Sequence, residues 1–221
     1  MNEVSCAEIF VFRADLSEFE SCSSARRKKA VSEIARNFVI GHVAHVTGIP
    51  TEEIKYLFNS HGKPYIDGNP LYFNVSHCGS VVAAAFCTEQ IGVDIEFVRD
   101  YSDAVVRRYF TDDEKSYMCG STGAEQSCER FFEIWTAKEA FLKFCGAGIS
   151  GGFDFSTASE IGLRDCLSST KLGSSNIIHH NGNIKVKSND VFVKNIYYTD
   201  DEIVKYCMSV CGKGIESIIV H

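Results

Sequence analysis

Two carboxylates, Asp94 and Glu96, alternate with apolar residues in the segment IGVDIEF, residues 91–97. Side chains two residues apart lie on the same face of a β-strand, so the pattern predicts both acids on one face and Val93 and Ile95 on the other. The acids would lie roughly 6–7 Å apart, where two charges repel by roughly 2.5 kcal/mol at an effective dielectric of about 20. A solvent-facing strand is one interpretation. The other is a site for a divalent cation such as Mg²⁺, which prefers carboxylate oxygens.

A third acid lies in the apolar segment WTAKEAFLK, residues 135–143. Trp135, Glu139 and Lys143 are spaced four residues apart, which predicts one stripe of an α-helix. In the structural interpretation, Glu139 and Lys143 form an intrahelical ion pair worth roughly 0.3–0.5 kcal/mol. In the chemical interpretation, Glu139 shares a cation with the two strand acids.

The acids Asp94 and Glu96 lie at the end of a region rich in β-forming residues. The predicted strands cover residues 71–77, 81–87 and 91–98, separated by short polar connections. Such spacing predicts a meander of three antiparallel strands. Ser76 and His77 end the first strand, where an isolated histidine is more often structural than catalytic.

Helical spacing predicts two long helices, at residues 24–46 and 128–145. The first begins with four basic residues, Arg26 to Lys29, and Arg36 follows two turns later. Such a run indicates either a solvated face or a site for an anion near a helix N-terminus. The second helix is expected to end at Gly146, since glycine favours the left-handed conformation of a helix C-cap.

Thr111-Asp112-Asp113-Glu114 matches a capping box at the start of another helix, which gives Glu114 a structural role. Residues 165–183 are polar and predict a loop. The closing strands are predicted at residues 184–187, 191–198, 203–210 and 217–220. Each half of the chain thus consists of a helix followed by antiparallel strands, which suggests a duplication.

The composition excludes several classes of protein. The 221 residues suffice for one large domain or two small ones. A net charge of -7 argues against a general nucleic-acid binder. The ten cysteines are scattered and no secretory signal precedes them, so we expect a reduced, cytoplasmic protein. No apolar run reaches the roughly 18 residues of a membrane span, so we expect no membrane partner.

Five segments appear in a fixed order: GKP (62–64), FNVSHCG (73–79), IGVDIE (91–96), FTDDE (110–114) and WTAKEAFLKFCGAGI (135–149). In this order and spacing the chain resembles the surfactin-synthetase-type 4'-phosphopantetheinyl transferases. The resemblance implies an enzyme that moves the phosphopantetheine arm of coenzyme A onto a serine of an apo acyl or peptidyl carrier protein, releasing adenosine 3',5'-bisphosphate.

The resemblance also implies an α+β fold built as a pseudo-twofold pair of similar subdomains. Each would be a helix packed on a small antiparallel sheet, with the active site in the cleft between them. Their expected extents are residues 1–98, which bind the nucleotide of coenzyme A, and residues 99–221, which carry the metal-binding helix and the carrier-protein side. With two similar units in one chain, a monomer would suffice.

The same resemblance assigns roles to particular residues. Asp94, Glu96 and Glu139 would hold Mg²⁺, or Mn²⁺ in its place, and Glu139 would also be the general base. The coenzyme A ligands would be Lys28, Arg36, Lys63, Pro64, Ser76, His77, Lys138 and Lys143. Lys143 would lie near the pyrophosphate as a catalytic residue, while Lys138 would either orient the site or pair with an acid. Cys78 stands where related proteins often carry serine.

Two other functions fit part of these features. One is a catalytically silent relative that docks carrier proteins without modifying them. The other is a different Mg²⁺-dependent phosphoryl-transfer enzyme that uses the acids on a nucleotide. The complete set of Asp94, Glu96 and Glu139 argues against the silent relative, since it has no need to keep three mutually repelling carboxylates.

Overall fold

The computed structural model describes residues 6–146, 177–178, 182–185, 192–199, 205–215 and 217–221. Its helices are α1 (Ser24–Thr47), α2 (Asp103–Tyr109), α3 (Asp112–Cys119) and α4 (Ala124–Cys145), with short 3-10 helices at Ser17–Phe19 and Thr51–Glu53. Its strands are β1 (Cys6–Arg13), β2 (Tyr56–Phe58), β3 (Pro64–Ile66), β4 (Tyr72–Cys78), β5 (Val81–Cys87), β6 (Ile91–Phe97), β7 (Ile177–Ile178), β8 (Gly182–Lys185), β9 (Phe192–Thr199), β10 (Lys205–Gly212) and β11 (Ser217–Val220).

The strands form two main sheets and a hairpin. The first sheet has the order β4-β5-β1-β11-β8, the second has the order β6-β10-β9-β7, and β2 pairs with β3 alone. β1 and β11 are parallel, as are β7 and β9, whereas the other described pairs are antiparallel. This mixture of helices and small, mainly antiparallel sheets confirms the predicted α+β class.

The central core contains buried apolar residues from both sheets, contributed by β1, β5, β6, β10 and β11. Val93 and Ile95 of β6 lie in it, each fully buried. Burying a side chain of this size stabilises the fold by roughly 1.5–3 kcal/mol. The predicted alternation along β6 is therefore confirmed, because the apolar face meets the core while Asp94 and Glu96 lie on the opposite face.

The predicted three-stranded meander is correct only for its first two strands. β4 and β5 pair antiparallel, but β6 pairs with β10, so that Asp94 lies opposite Ser209. A strand has two edges, and those of β5 are occupied by β4 and β1. Since β5 leaves no edge for β6, the third strand joins the second sheet.

The predicted helices are confirmed, with a shift at one end. α1 begins after Ser23, whose side chain accepts a hydrogen bond from the backbone N–H of Arg26. α4 begins four residues earlier than predicted and ends at Gly146, which has the expected positive φ of 68°. Both bonds of the capping box between Thr111 and Glu114 are present at the start of α3.

α4 lies directly on β6 at Gly92. A Cβ atom at this position would lie 2.1 Å from the carbonyl oxygen of Ala140 and 2.5 Å from the amide nitrogen of Phe144. Only glycine permits so close an approach of helix and strand. The face of β6 that carries Asp94 and Glu96 is consequently the face on which α4 packs.

Each of the two main sheets contains strands from both sides of residue 98, the predicted boundary between subdomains. β6 comes from the first half of the sequence but pairs in the second sheet, whereas β11 comes from the end of the chain and pairs with β1 in the first. The predicted boundary at residue 98 therefore does not coincide with the sheets, and the division into two subdomains stays a prediction.

The chain between residues 147 and 204 is described only in part. The predicted loop at residues 165–183 lies mostly outside the described residues, as does the end of the WTAKEAFLKFCGAGI segment after Gly146. Strands β8 to β11 confirm the closing strands to within a few residues. Within the described ranges, no helix is long and apolar enough to cross a bilayer.

Candidate active site

The candidate site is built first from β4 and β6, which lie side by side and run in the same direction. Three side-chain hydrogen bonds join them: Val93 N to Asn74 Oδ1 at 2.8 Å, Ser76 Oγ to Asp94 Oδ1 at 2.8 Å, and Cys78 Sγ to Glu96 Oε2 at 3.4 Å. Residues 74, 76 and 78 of β4 thus meet residues 93, 94 and 96 of β6 in the same order. Both strand acids are consequently held by donors from β4.

Lys143 of α4 joins this pair of strands. Its Nζ atom donates to Asp94 Oδ1 at 2.7 Å and to Ser76 Oγ at 2.8 Å. The predicted ion pair with Glu139, one turn back on the same helix, is therefore not the one that Lys143 forms. Packing of α4 on β6 brings the ammonium to the strand acid instead.

Asp94 is 4% exposed, and its Oδ2 atom is buried without a hydrogen-bond partner among the described residues. Leaving a buried acceptor unsatisfied costs roughly 1–3 kcal/mol, and more when the group is charged. Buried polar groups are normally satisfied. This oxygen therefore marks a position where a positively charged group of a ligand would gain free energy.

Glu96 and Glu139 complete a group of three acids. Burial raises the pKa of Glu139 to about 7, and the negative charge of Asp94 adds to the effect, while the Lys143 ammonium opposes it. Burial and then the charge of Asp94 likewise raise the pKa of Glu96. The three carboxylates face one region, in which their charges repel one another.

The fit of these acids to a cation depends on their chemistry more than on their present positions. Among the described residues, no group of three or more His, Cys, Asp and Glu side chains is placed to hold a metal ion as it stands. The donors are nevertheless hard carboxylate oxygens, one of which lacks a described partner, and burial together with repulsion from Asp94 raises the pKa of Glu96 and Glu139. This donor set fits Mg²⁺.

A cavity of about 390 Å³ lies beside this group. Its walls come from the loop before β3, from β4 and from the second half of α4. The lining residues are His61, Gly62, Lys63, Pro64, Asn74, Val75, Glu139, Leu142, Lys143 and Gly146. A smaller cavity of about 180 Å³ shares Lys63 and Pro64 with it. The larger one thus brings two of the predicted site residues of α4 next to the Gly-Lys-Pro loop.

His77 connects the site to the start of α1. Its Nε2 atom lies 3.4 Å from Ser32 Oγ. Burial lowers the pKa of His77, and the positive charges of Lys28 and Lys143 lower it further. His77 therefore lies close enough to Lys28 and Lys143 for their charges to act on it, and its role in nucleotide binding stays a prediction.

Arg36 lies farther along α1 and contacts the β2–β3 hairpin. Its guanidinium carbon is 5.2 Å from the centre of the Tyr56 ring, a cation–π geometry. The side chain is exposed, so it is accessible to a ligand. Its described contact does not link it to the acids.

Comparison with known proteins identifies the family. The sequence profile of the 4'-phosphopantetheinyl transferase superfamily matches residues 90–202, just over half of the chain. The chain belongs to this superfamily. The match contains β6 and α4, which carry Asp94, Glu96, Glu139 and Lys143. The resemblance inferred from the five segments is therefore confirmed.

Several curated relatives of this superfamily member are 4'-phosphopantetheinyl transferases by name. Psf-1 of Bacillus pumilus is 34% identical over 146 residues, which cover 63% of this chain and 62% of the relative. Sfp of Bacillus subtilis strain 168 is 35% identical over 99 residues, or 44% of each chain. HetI of Nostoc sp. is 34% identical over 132 residues, covering 57% of this chain and 54% of the relative. The chain thus matches less than two thirds of the length of each.

Lys138, in the superfamily's Lys-Glu pair on α4, does not face the cavity. Its side chain is 0% exposed, and Nζ lies 3.1 Å from Oε2 of Glu114, which is also 0% exposed. Glu114 Oε2 in addition accepts the backbone N–H of Thr111 at 2.8 Å. Of the two predicted roles of Lys138, pairing with an acid is the one observed. Its assignment to coenzyme A stays a prediction, which the burial of the ammonium against Glu114 does not support.

Lys63, in the Gly-Lys-Pro segment, lines both cavities, but its ammonium contacts the protein backbone. Nζ donates to the carbonyl oxygens of Ile91 at 3.3 Å and Phe144 at 3.2 Å. Burial lowers the pKa of Lys63 to about 8. At neutral pH the group is still largely protonated and able to donate both hydrogen bonds.

Sequence reasoning missed Asn74, Gly92 and Gln90. Asn74 could have been found, because it alternates with Ser76 on a strand whose polar residues face the acids. Gly92 and Gln90 carry no such signal, since their importance depends on the position of α4.

Proposed function

We propose that this chain transfers the 4'-phosphopantetheine arm of coenzyme A to a serine of an apo acyl or peptidyl carrier protein and releases adenosine 3',5'-bisphosphate. Membership of the superfamily supports this function. The observation that carries the proposal is the contact of Lys143 with Asp94 and Ser76, beside a cavity that Glu139 and Lys143 both line.

Coenzyme A would bind with its pyrophosphate near Lys143. The side chain of Lys143 is 29% exposed, so its ammonium can reach an anion in the cavity while it contacts Asp94. Ser76 and His77 would face the phosphates, and Lys28 and Arg36 would contribute positive charge from α1. Pro64 and Lys63, which line the cavity, would contact coenzyme A from its wall.

Asp94, Glu96 and Glu139 would hold Mg²⁺, with Mn²⁺ as the alternative. A bound divalent ion would neutralise charge that develops on the phosphoryl oxygens during transfer. The buried Oδ2 atom of Asp94 supports the assignment, since it lacks a partner among the described residues. The raised pKa of Glu139 and Glu96 supports it as well, because a cation would relieve the repulsion that contributes to both shifts.

The chemistry is a displacement at phosphorus. The serine hydroxyl of the carrier would attack the β-phosphorus of coenzyme A, forming a new P–O bond while the bond to the bridging pyrophosphate oxygen breaks. Glu139 would accept the serine proton, directly or through a water molecule. Lys143 would stabilise the negative charge on the transferred group and on the departing adenosine 3',5'-bisphosphate.

The division into two subdomains belongs to this proposal. α1 packs on β4 and β5 of the first sheet, whereas α4 packs on β6, β9 and β10 of the second. The larger cavity lies where the first sheet and the Gly-Lys-Pro loop meet α4. This arrangement supports a cleft between two similar units that exchange β6 and β11.

The test is the intact mass of a carrier protein after incubation with this chain, coenzyme A and Mg²⁺. We expect the carrier to gain one phosphopantetheine arm, and a carrier whose acceptor serine is replaced by alanine to gain none. Carriers of fatty-acid, polyketide and nonribosomal peptide synthesis should be compared. Absence of any mass gain on all three would refute the proposed function.

A further inference from the structure

The C-terminal end of α4 is held by three side chains from outside the helix. Lys63 Nζ and Gln90 Nε2 both donate to the carbonyl oxygen of Phe144, at 3.2 Å and 2.6 Å. Asn59 Nδ2 donates to the carbonyl oxygen of Gly146 at 3.4 Å. These carbonyls belong to the last turn of the helix, where no further helical N–H is present to satisfy them.

Lys63 also contacts the strand that carries two of the acids. Its Nζ atom donates to the carbonyl oxygen of Ile91, the first residue of β6, at 3.3 Å. One ammonium thus bridges the beginning of β6 and the end of α4. Gly92, the next residue of β6, is where the helix approaches the strand most closely.

The loop between β2 and β3 holds Lys63 in this position. Asn59 Oδ1 accepts the backbone N–H of His61 at 2.9 Å and of Lys63 at 2.8 Å, which closes the loop on itself. At Gly146, a Cβ atom would lie 3.3 Å from Lys63 Cδ. The stem of Lys63 is therefore packed against the helix end, so its ammonium is directed at the carbonyls.

We propose that Lys63 and Gln90 are positioning residues: together they hold the end of α4 against β6 and so fix Lys143 and Glu139 beside the strand acids. Positive charge at a helix C-terminus is favourable because the helix dipole is negative there. The inference rests on the proposed function for its effect on transfer. In this proposal the ammonium of Lys63 binds the carbonyl oxygen of Phe144 and not the phosphates of coenzyme A.

Gln90 separates this role from ligand binding in the larger cavity. It is exposed and lines only the smaller of the two cavities, yet it shares the carbonyl of Phe144 with Lys63. A change at Gln90 can therefore affect Lys143 and Glu139 through α4 while leaving the larger cavity's lining intact. If Lys63 acts by positioning, variants of Lys63 and Gln90 should both lower kcat and leave KM for coenzyme A nearly unchanged.

The experiment compares Lys63→Met, Lys63→Arg, Gln90→Leu and the control Lys55→Met, using coenzyme A and 3'-dephospho-coenzyme A as substrates. Lys55 is an exposed lysine that pairs with Asp67. We expect kcat to fall about fivefold in Gln90→Leu and about tenfold in Lys63→Met, in line with the loss of one or two hydrogen bonds near a reacting centre. KM for coenzyme A should stay within about twofold.

The preference for coenzyme A over the dephospho form, as a ratio of kcat/KM values, should be unchanged in both variants. Lys63→Arg should recover most of kcat because a guanidinium can donate to both carbonyls. Lys55→Met should behave as wild type. A weaker preference of Lys63→Met for coenzyme A over the dephospho form, with the preference of Gln90→Leu unchanged, would overturn the proposal. Lys63 would then be a ligand of the 3'-phosphate.

Hydrogen exchange of the α4 amides tests the inference without any substrate. We expect residues 142–146 to exchange about tenfold faster in Lys63→Met and Gln90→Leu than in wild type or Lys55→Met, because the helix end would open more often. Unchanged exchange in Gln90→Leu, which alters only an exposed side chain, would refute the proposal. If the wild-type chain transfers no phosphopantetheine but the exchange effect is present, the proposed function fails and the positioning of α4 stands.

Discussion

Two lysines on the same helix, Lys138 and Lys143, form ion pairs of opposite character. Lys138 lies 3.1 Å from Glu114, and neither side chain has any exposed surface. Lys143 lies 2.7 Å from Asp94, with its own side chain 29% exposed. The first carboxylate also holds the backbone of its own helix, whereas the second has a buried oxygen without a described partner. The first pair is closed to ligands and the second is open to them.

The two lysines of the segment WTAKEAFLK therefore differ in role: the buried one supports the fold, whereas the partly exposed one can contact a ligand. A buried pair has lost its hydration, so removing one charge leaves the other without that compensation and is costly. A partly exposed pair can exchange a protein partner for a ligand at small cost, because water or an anion can replace what is lost. We therefore expect changes at the closed pair to affect stability, and changes at the open pair to affect transfer.

The largest effect on stability is expected for Lys138→Met. The change leaves the Glu114 carboxylate buried without its cation, so the free energy of unfolding should fall by about 3–5 kcal/mol. Urea denaturation at pH 7 measures this. The double variant Glu114→Gln with Lys138→Met should recover most of the loss, since glutamine still accepts the Thr111 N–H. A double variant as unstable as the single one would contradict the explanation.

Asp94→Asn should mainly affect catalysis. Asparagine can still accept a hydrogen bond from Lys143, so we expect the melting temperature to change little. Transfer to a carrier should fall by about 10²–10³-fold, because a charge that organises the site is lost. Rates from intact-mass time courses test this against Asp67→Asn, an exposed control. Undiminished turnover would remove Asp94 from the site.

The pH dependence of stability tests whether the carboxyl of Glu139 is protonated more readily in the folded, metal-free protein than in the unfolded chain. The pKa of Glu139 is about 7 in the folded protein, above its ordinary value of 4.5. Between these values the folded state binds more protons than the unfolded state, so the free energy of unfolding should decrease as pH rises from 4.5 to 7.

After discounting for solvent screening, this decrease should be on the order of 1–2 kcal/mol. Comparing urea denaturation of wild type and Glu139→Gln at pH 5 and pH 7.5 isolates the contribution, because the variant lacks the titrating carboxyl. If the free energy of unfolding changed equally with pH in both proteins, titration of Glu139 would not be the cause of the decrease.

Ser76→Ala should have the smallest effect. The hydroxyl makes one hydrogen bond to Asp94 Oδ1 and accepts one from Lys143. Loss of the hydroxyl should reduce the rate of transfer about fivefold, equivalent to about 1 kcal/mol. The effect is small because Lys143 and Asp94 remain hydrogen-bonded to each other. Ser116→Ala, on an exposed helix face, serves as the control. A loss as large as that of Asp94→Asn would mean that Ser76 contacts the reacting groups directly.

Local patterns predicted most of the elements of this fold. Alternation placed Val93 in the core and Asp94 on the other face, and the capping box of Thr111 and Glu114 is formed as expected. Such signals are readable because they depend on residues a few positions apart. The sheet to which β6 belongs was predicted wrongly, since the pairing of β6 with β10 joins residues more than a hundred positions apart.

The sequence alone determined the family and the set of charged residues from which the site is drawn, because the five segments preserve residue types in a fixed order. The tertiary structure decided their partners. It paired Lys143 with Asp94 instead of Glu139, buried Lys138 against Glu114, and directed Lys63 at the end of α4. The physical reason is that a charged side chain takes the partner that packing brings within reach, and Gly92 lets α4 lie directly on β6.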